Sequence, residues 1–346
     1  MARTRKGTKP PTGSAGPESE QAIAGMVAGL AGSMATAITN DLSGGVVGGG
    51  LDGAPIPELV MPGQPTPGFK IGPWDVPDDV YHNDRRTISH SMMKTFWQSP
   101  TRYCEQYIQR SLVQPTTKAL DTGTALHMAL LEPEKFLESF VCRPENSPRN
   151  TAAGKERYAQ CQAENPGKII LDREDWFTVD GVAQTVAGNK TIRDLLTCKG
   201  GINERACCWI DPENRLQLRG KQDRWLPDGL VIIDLKSMLD DPSPEAFGKV
   251  AYNLSYYTQA VWYTEGISQA YDIDPAKIEF LVIAAGKKPP YEVGIYRFDK
   301  DYLELGADKI RKGRLELAEC MGTKDWAPGW SSAPYTVQQP FWTRRR

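Results

Sequence analysis

Two carboxylates and an ammonium group that could act together lie within residues 219–237, RGKQDRWLPDGLVIIDLKS. The segment LVIID is typical of a buried strand, and it ends in Asp234 with Lys236 two residues further on. Asp223 lies eleven residues before Asp234. Carboxylates brought close together repel unless a cation lies between them, and hard oxygen ligands suit Mg²⁺ or Mn²⁺. The simpler interpretation is a surface hairpin that ends in an Asp–Lys pair.

The turn within this segment decides whether the carboxylates meet. If residues 228–229 (Asp-Gly) form a two-residue primed turn, the ladder places Asp223 directly opposite Asp234, with Cβ atoms about 5 Å apart. The two-residue period of a strand then puts Lys236 on the face of Asp234. A three-residue turn would instead direct Asp223 to the other face. The same period places two more basic residues on the face of Asp223: Arg219 and Lys221.

Three other segments contain residue types that could complete a site. Gly123 and His127 share one face of a predicted helix, where glycine permits a close approach and the imidazole could supply a nitrogen ligand. Near a predicted helix at 254–269, four residues form a stripe at helical spacing: Tyr252, Tyr256, Gln259 and Tyr263. Such a stripe usually packs in a core, but its glutamine favours a polar destination. The third segment, SHSMMKTFWQSPTRY, alone indicates only a helix start and stop.

Taken together and in order, five motifs resemble those of the PD-(D/E)XK nuclease superfamily: SHSMMKTFWQSPTRY, GTALH, GKQD, IIDLK and QAVWY. The most similar branch contains the RecB nuclease domain and exodeoxyribonuclease VIII (RecE), and the resemblance covers about residues 85–300. It implies an α/β fold with a restriction-endonuclease-like core, in which helices flank a mixed central sheet. A helical insertion is expected at about 132–200.

The resemblance also implies a function: a metal-dependent exonuclease that digests linear duplex DNA from 5′ to 3′ and leaves 3′ single-stranded tails for recombination. Mg²⁺, replaceable by Mn²⁺, would be held by four groups: His127, Asp223, Asp234 and the backbone carbonyl of Leu235. Lys236 would orient or deprotonate the attacking water. Gln259 and Tyr263 would position the DNA end or the lysine. Many relatives have Glu at the position of Asp234, and the branch tolerates this difference.

The implied partners are linear duplex ends, a single-strand annealing recombinase, and further copies of the chain in a ring. Two alternatives stay open. One is a related repair nuclease of different polarity or substrate preference. The other is an inactive DNA-end-binding or scaffold protein on the same fold, although the joint presence of Asp223, Asp234 and Lys236 argues against it.

Several other residues have a functional and a structural interpretation. Glu204 begins a predicted strand and could face the same site, although an acidic residue at a strand start is common. Three tryptophans could stack on bases, but core packing is the better expectation: Trp209, Trp225 and Trp262. Lys287 and Lys288 could contact phosphate, but a solvated loop is the better expectation.

Composition limits the wider interpretation. The 346 residues carry a formal net charge of -2, so any nucleic-acid contact must come from a local basic groove. Seven cysteines without a CxxC motif indicate free thiols in a reducing cytoplasm and disfavour an iron–sulphur cluster. The uncharged segment 21–40 is too rich in small residues to favour a membrane span.

The sequence predicts a disordered Gly/Pro/Ala-rich leader at 1–77 with a small-residue helix near 21–39, a nuclease domain at 78–323, and a Pro/Trp-rich tail at 324–346 that is extended or loose. Helices are predicted at 89–97, 120–131, most of 151–197, 254–269 and 302–320. Strands are predicted at 204–210, 215–226, 230–236, 277–285 and 291–298.

Overall fold

The structure is a computed structural model that describes residues 69–112, 118–239, 241–328, 334 and 336–337. Of residues 118–121 it describes the backbone alone. Most of the predicted leader, with its helix and its uncharged segment, lies outside the described residues. The same holds for much of the predicted tail.

Helices enclose the sheets of the described chain. In chain order they are Asp78–Asn83, His90–Gln98, Pro100–Tyr103, Lys118–Leu131, Pro133–Ser139, Ala152–Glu164, Arg173–Gly188, Lys190–Thr197, Pro244–Asn253, Tyr256–Tyr271 and Lys300–Thr323, with a π-helical turn at Cys104–Ile108 and a 3-10 turn at Pro275–Lys277. The helix His90–Gln98 begins where the sequence predicts, because the Ser89 side chain caps it by accepting a hydrogen bond from the Met92 amide.

The strands form two larger sheets and one small sheet. They are β1 (Gly72–Trp74), β2 (Ile88–Ser89), β3 (Phe140–Cys142), β4 (Ile169–Leu171), β5 (Ile202–Asn203), β6 (Ala206–Ile210), β7 (Gln217–Lys221), β8 (Arg224–Leu226), β9 (Val231–Met238), β10 (Glu279–Gly286) and β11 (Val293–Tyr296). The five-stranded sheet has the order β11-β10-β9-β8-β5, and the four-stranded sheet has the order β1-β6-β7-β2. β9 and β10 are parallel, whereas β8 and β9 are antiparallel, so the central sheet is mixed as expected.

The central sheet is buried on both faces. Successive residues of β9 point to opposite sides of the sheet, and each side packs against helices. Ile232 packs in a cluster with Ala260 of the helix Tyr256–Tyr271. Ile233 and Leu235 pack in a second cluster, which includes residues of the helices Lys118–Leu131 and Arg173–Gly188. This layered arrangement confirms the predicted α/β class, and it places different helices on the two sides of β9.

The prediction of one strand at 215–226 was wrong, because the structure divides it into β7 and β8. β7 ends at Lys221 and pairs with β6, whereas β8 begins at Arg224 and pairs with β9. The alternation of residue types continues through 222–223, so the pattern gives no sign that the backbone leaves one sheet and enters the other there. Asp223 therefore lies at the junction of the two sheets.

The predicted helix at 254–269 was also placed too early. Ser255 has a left-handed backbone conformation, with φ at 56°, and it separates the helix Pro244–Asn253 from the helix that starts at Tyr256. Tyr252 consequently belongs to the earlier helix, where it is 50% exposed and stacks on Tyr257. It does not continue the stripe of Tyr256, Gln259 and Tyr263.

The predicted segment boundaries need three adjustments. β1 lies within the predicted leader, yet it pairs with β6 and so belongs to the folded domain. The insertion at 132–200 is mostly helical, but it also contains the parallel pair β3 and β4. The start of the predicted tail packs onto the domain, because Trp326 stacks on Tyr103 and its carbonyl accepts a hydrogen bond from Thr101.

The tryptophans, the cysteines and the helices of the described chain bear on three smaller expectations. The three tryptophans are each at most 1% exposed, which confirms their assignment to the core: Trp209, Trp225 and Trp262. All seven cysteines lie within the described ranges as free thiols. Among the described helices, none combines the length and the apolar character that a membrane crossing requires.

Candidate active site

The hairpin of β8 and β9 has the predicted register. Arg224 pairs with Ile233 and Leu226 with Val231, so continuation of the ladder places Asp223 opposite Asp234. The turn itself is not primed, because Gly229 is not left-handed, whereas Leu230 is, with φ at 53°. The register survives because Pro227 and Leu230 still close the turn through a 3.2 Å backbone hydrogen bond.

Asp223 directly precedes β8, and hydrogen-bonding groups of two other elements surround its carboxylate. Its Oδ2 accepts a 2.6 Å hydrogen bond from the Leu235 amide and lies 3.5 Å from Nδ1 of His127. His127 comes from the helix Lys118–Leu131, which packs on this side of the central sheet. The interruption between β7 and β8 frees Asp223 from ladder pairing, so its carboxylate can reach the amide of a β9 residue.

Glu204 joins this pair from the short connection between β5 and β6. One ligand atom from each of His127, Glu204 and Asp223 lies within 4.8 Å of the others. The Glu204 backbone has φ at 51°, and its amide donates a 3.1 Å hydrogen bond to the Asp223 carbonyl. The Glu204 carboxylate also contacts the Lys221 ammonium at 3.0 Å. Burial, together with the nearby Asp223 carboxylate, raises the pKa of Glu204.

The three groups fit a divalent cation. Oxygen or nitrogen atoms on opposite sides of one such ion are roughly 4–5 Å apart, since each ligand bond is about 2.0–2.6 Å long. The two carboxylates are hard oxygen donors that suit Mg²⁺ or Mn²⁺, and the imidazole adds a nitrogen donor. The carboxylates of Glu204 and Asp223 lie close together, and a cation between them would relieve their mutual repulsion.

Asp234 takes different partners from Asp223. It is 1% exposed, its Oδ2 contacts the Lys236 ammonium, and its Oδ1 accepts a 2.9 Å hydrogen bond from Gln259. Burial raises the pKa of Asp234, and the Asp223 carboxylate adds to that effect. Burial also disfavours the ammonium form of Lys236, but the two aspartates outweigh it and raise the pKa of Lys236.

The predicted residues of the helix Tyr256–Tyr271 face this second carboxylate. Gln259 binds Asp234, the Lys236 ammonium lies 5.0 Å from the centre of the Tyr256 ring, and the Tyr263 hydroxyl interacts with Gln259. Gly220 of β7 makes room for the Tyr263 ring, because a Cβ there would lie 3.0 Å from its Cδ1. Burial raises the pKa of Tyr263, so this hydroxyl remains protonated at neutral pH.

A cleft of about 760 Å³ opens over the three potential ligands. His127, Glu204, Asp223 and Lys221 line it together with Gly123, which lies one helical turn before His127. A Cβ at Gly123 would meet no protein atom within 4 Å, so the glycine leaves this wall of the cleft open. The predicted close approach at Gly123 stays a prediction for a bound molecule.

The structure thus brings the predicted residues together in two adjoining groups. His127 and Asp223 belong to the first, and Asp234, Lys236, Gln259 and Tyr263 belong to the second. The Leu235 amide binds Asp223, while its carbonyl lies 3.5 Å from the Lys236 ammonium. The ligand roles of all four predicted groups stay predictions: His127, Asp223, Asp234 and the Leu235 carbonyl.

Two basic residues were predicted to share the face of Asp223. Both lie on one face of β7, over the ring of Tyr81, but only Lys221 reaches the cleft. Lys221 lines the cleft and bridges Glu204 and Asp78, at 3.0 and 2.9 Å. Arg219 is instead buried away from the carboxylates, where it donates 2.8 Å hydrogen bonds to the carbonyls of Asp84 and Thr87. Glu204 lies with His127 and Asp223, but no sequence signal separates it from other acidic residues at strand starts.

Comparisons with known proteins agree with this architecture. Residues 89–333 match the family model described as a PDDEXK-like domain of unknown function (DUF3799). Among curated proteins, no sequence matches the chain.

Two solved structures are similar in different degrees. A crystal structure described as a "putative exonuclease" from Eubacterium rectale has a TM-score of 0.52 and 12% identity, covering 78% of this chain and 96% of that one. The structure of SSO0001, at 16% identity and covering 64% of this chain and all of that one, has a TM-score of only 0.25. The first supports the fold, and the second carries no weight. Because the family model spans most of the described domain, the chain belongs to the PDDEXK-like family, a branch of the PD-(D/E)XK superfamily.

Proposed function

We propose that the chain is a DNA exonuclease that hydrolyses phosphodiester bonds of linear duplex DNA in the cleft over His127, Glu204 and Asp223. The observation that carries this proposal is the convergence of their three ligand atoms within 4.8 Å, beside the Asp234–Lys236 pair. In a structural protein, such crowding of carboxylates would only lower stability.

A divalent ion, Mg²⁺ with Mn²⁺ as a substitute, would be held by His127, Glu204 and Asp223. When bound, it would polarise the scissile phosphate and favour ionisation of the attacking water. Asp234 and the Leu235 carbonyl would complete the ligand set, as the superfamily resemblance implies. To act as a ligand, the Asp234 carboxylate would have to give up its contact with the Lys236 ammonium in favour of the ion.

The other residues act through position and charge. Lys236 lies beside Asp234, from where its ammonium would orient the attacking water and offset the charge that develops on the phosphate. In its neutral amine form, Lys236 would instead accept the proton of the attacking water. Gln259 holds the Asp234 carboxylate through the 2.9 Å hydrogen bond. Tyr263 supports Gln259 and would contact the DNA end.

The finer assignments rest on resemblance. The order of the motifs is that of the RecB and RecE branch, and one structural neighbour is described as a "putative exonuclease". Both support an exonuclease that degrades from 5′ to 3′ in the cytoplasm of a bacterial or phage-infected cell. A single-strand annealing recombinase and a ring of identical chains are the partners that this proposal includes.

The test incubates end-labelled linear duplex and covalently closed circular duplex with Mg²⁺, using the wild-type chain, Asp234→Ala and Lys236→Ala. The proposal expects metal-dependent release of nucleotides from the linear duplex only, and loss of release in both variants. Cleavage of closed circles would contradict exonuclease action, and full activity in both variants would contradict the site. Tight end binding without any cleavage would favour an inactive scaffold.

A further inference from the structure

A second cavity, of about 60 Å³, adjoins the cleft. Apolar and aromatic side chains form about half of its lining, and the rest includes five arginines and one aspartate: Arg85, Arg86, Arg110, Arg215, Arg219 and Asp84. Its volume is several times the roughly 10–15 Å³ that one water molecule needs, so a small polyatomic group fits. The arginines come from three separate parts of the chain, which the fold brings together. This local concentration of positive charge contrasts with the formal net charge of -2.

The negative charge within this arginine pocket is already engaged. Asp84 accepts hydrogen bonds from Arg86 at 2.9 Å and from Thr87 at 2.5 Å, and it lies 3.6 Å from Arg219. Arg85, Arg110 and Arg215 form no ion pair with any carboxylate of the described chain. The positive charge of Arg85 contributes to lowering the pKa of Arg110, after burial. The pocket therefore has more cations than its own anion can neutralise.

Arg219, which lines the pocket, has a buried donor without a hydrogen-bond partner among the described residues. Arg219 is 4% exposed, and its terminal nitrogen Nη1 is held by Asp84 and Thr87. Its Nε atom, however, is buried and has no hydrogen-bond partner among the described residues. An unsatisfied donor of this kind is costly in a folded protein, and an anion in the pocket would offset that cost.

The arginine pocket is adjacent to the cleft that contains the three potential ion ligands. His82 lines both cavities. Arg219 of the pocket and Lys221 of the cleft lie two residues apart on β7, about 7 Å along the strand, and both side chains lie over the ring of Tyr81. A group bound in the pocket is thus close to one bound in the cleft.

We propose that the arginine pocket binds a phosphate of the DNA strand whose neighbouring phosphodiester lies in the cleft. Arginine suits this role because its planar guanidinium forms paired hydrogen bonds with phosphate oxygens. The pocket would fix the register of the strand without reading its bases. This inference rests on the proposed function for the identity of the strand, and its test separates the two.

Binding is measured by fluorescence anisotropy on a short labelled duplex in EDTA, where cleavage cannot occur, over a series of salt concentrations. The variants are Arg110→Gln and Arg215→Gln, both at exposed positions whose substitution spares the core. The control is Arg157→Gln, which removes an exposed arginine of the insertion that donates to the Asn146 carbonyl. Thermal unfolding of each variant confirms that it folds.

Each pocket variant is expected to weaken binding about tenfold and to reduce the salt dependence by about one phosphate contact, whereas the control binds like the wild type. Duplexes with 5′-phosphate ends, 5′-hydroxyl ends and no ends distinguish a terminal phosphate from an internal phosphodiester. Loss confined to the 5′-phosphate duplex assigns a terminal phosphate, and equal loss on all three assigns an internal one.

Wild-type affinity and salt dependence in both pocket variants would overturn the inference. Cleavage assays in Mg²⁺ keep its failure apart from that of the proposed function. If the wild type binds through the arginines but never cleaves DNA, the function fails and the pocket stands. If Asp223→Asn abolishes cleavage while both arginine variants bind normally, the pocket fails and the function stands.

Discussion

Asp223 and Asp234 occupy opposing positions of one hairpin, yet their carboxylates are held by different parts of the protein. Asp223 is fixed by the Leu235 amide and lies with His127 and Glu204, whereas Asp234 is fixed by Gln259 and Lys236. The helix Lys118–Leu131 thus contributes one potential ion ligand, His127, whereas the helix Tyr256–Tyr271 contributes Gln259, which positions Asp234.

Glu204→Gln is predicted to weaken divalent-ion binding and to slow DNA cleavage by more than about tenfold, because it removes one of three converging ligands. Mn²⁺ binding, measured by isothermal titration calorimetry, checks the first effect independently of catalysis. The matched control is Glu213→Gln, an exposed residue in the loop between β6 and β7. Unchanged Mn²⁺ affinity in Glu204→Gln would remove Glu204 from the site.

Gly123→Ala is predicted to raise stability and lower activity. A Cβ there meets no protein atom within 4 Å, and replacing a helical glycine by alanine stabilises a helix by about 0.5–1 kcal/mol. The same methyl group would protrude into the cleft and hinder the DNA strand. Urea unfolding and the cleavage rate measure the two effects, and an increase in activity would show that DNA does not pass this wall.

Gly220→Ala provides the contrasting substitution. Its Cβ would lie 3.0 Å from Tyr263 Cδ1 and 3.3 Å from Trp209 Cη2, so the rings must shift. Overpacking of this kind typically costs about 1–3 kcal/mol. Stability should therefore fall in Gly220→Ala and rise in Gly123→Ala, a difference in sign that the same unfolding experiment detects.

Gln259→Leu is predicted to reduce the free energy of unfolding by roughly 1.5–3 kcal/mol, because the buried Asp234 loses a hydrogen-bond donor. Gln269→Leu on the same helix is the control, since the bond from Gln269 to Glu265 is long, at 3.5 Å. Chemical denaturation of both variants makes the comparison. Equal losses would indicate that the Gln259 side chain contributes packing alone.

The hairpin and the residues around it differ in how far the sequence alone could predict them. The hairpin register was predictable because Asp228-Gly229 marks a turn and a strand alternates with period two. The break after Lys221 was not, since Arg219, Lys221 and Asp223 alternate without interruption across it. Glu204 reaches the site only through a left-handed backbone conformation, with φ at 51°, which glutamate rarely adopts and no local pattern indicates.

The arginine pocket illustrates the same limit. Arg85, Arg110 and Arg215 lie far apart in the chain, and nothing in their local sequence relates them. Arg85 and Arg215 meet because β2 pairs with β7 and brings the segment before β2 beside the segment before β7, and Arg110 joins them from the end of the π-helical turn Cys104–Ile108. The stripe on the helix Tyr256–Tyr271 was more accessible to prediction, because Gln259 and Tyr263 belong to a single helix.

The stability of the fold is predicted to decrease in mild acid because of His90. Its Nε2 is 2.8 Å from the Thr258 hydroxyl, and burial, with Lys94 and Lys236 nearby, holds its pKa well below 6.5. Below that pH the unfolded chain binds a proton that the folded chain excludes, so stability rises with pH up to about 6.5 and is lost as the pH falls below it.

His90→Gln should therefore lose less stability than the wild type between pH 7 and pH 5. Glutamine keeps a polar group near Thr258 but does not titrate, which isolates the contribution of the imidazole. Urea midpoints at several pH values make the comparison. Parallel pH profiles for the two chains would show that His90 binds protons equally in the folded and unfolded states.

The most direct test of the account compares Asp223→Asn with Asp228→Asn, the same substitution at the exposed turn of the same hairpin. The measurement is the release of labelled nucleotides from linear duplex DNA in Mg²⁺ and in EDTA. The account predicts metal-dependent release that falls more than about a hundredfold in Asp223→Asn and stays at the wild-type rate in Asp228→Asn. Equal release by Asp223→Asn and the wild type would contradict it.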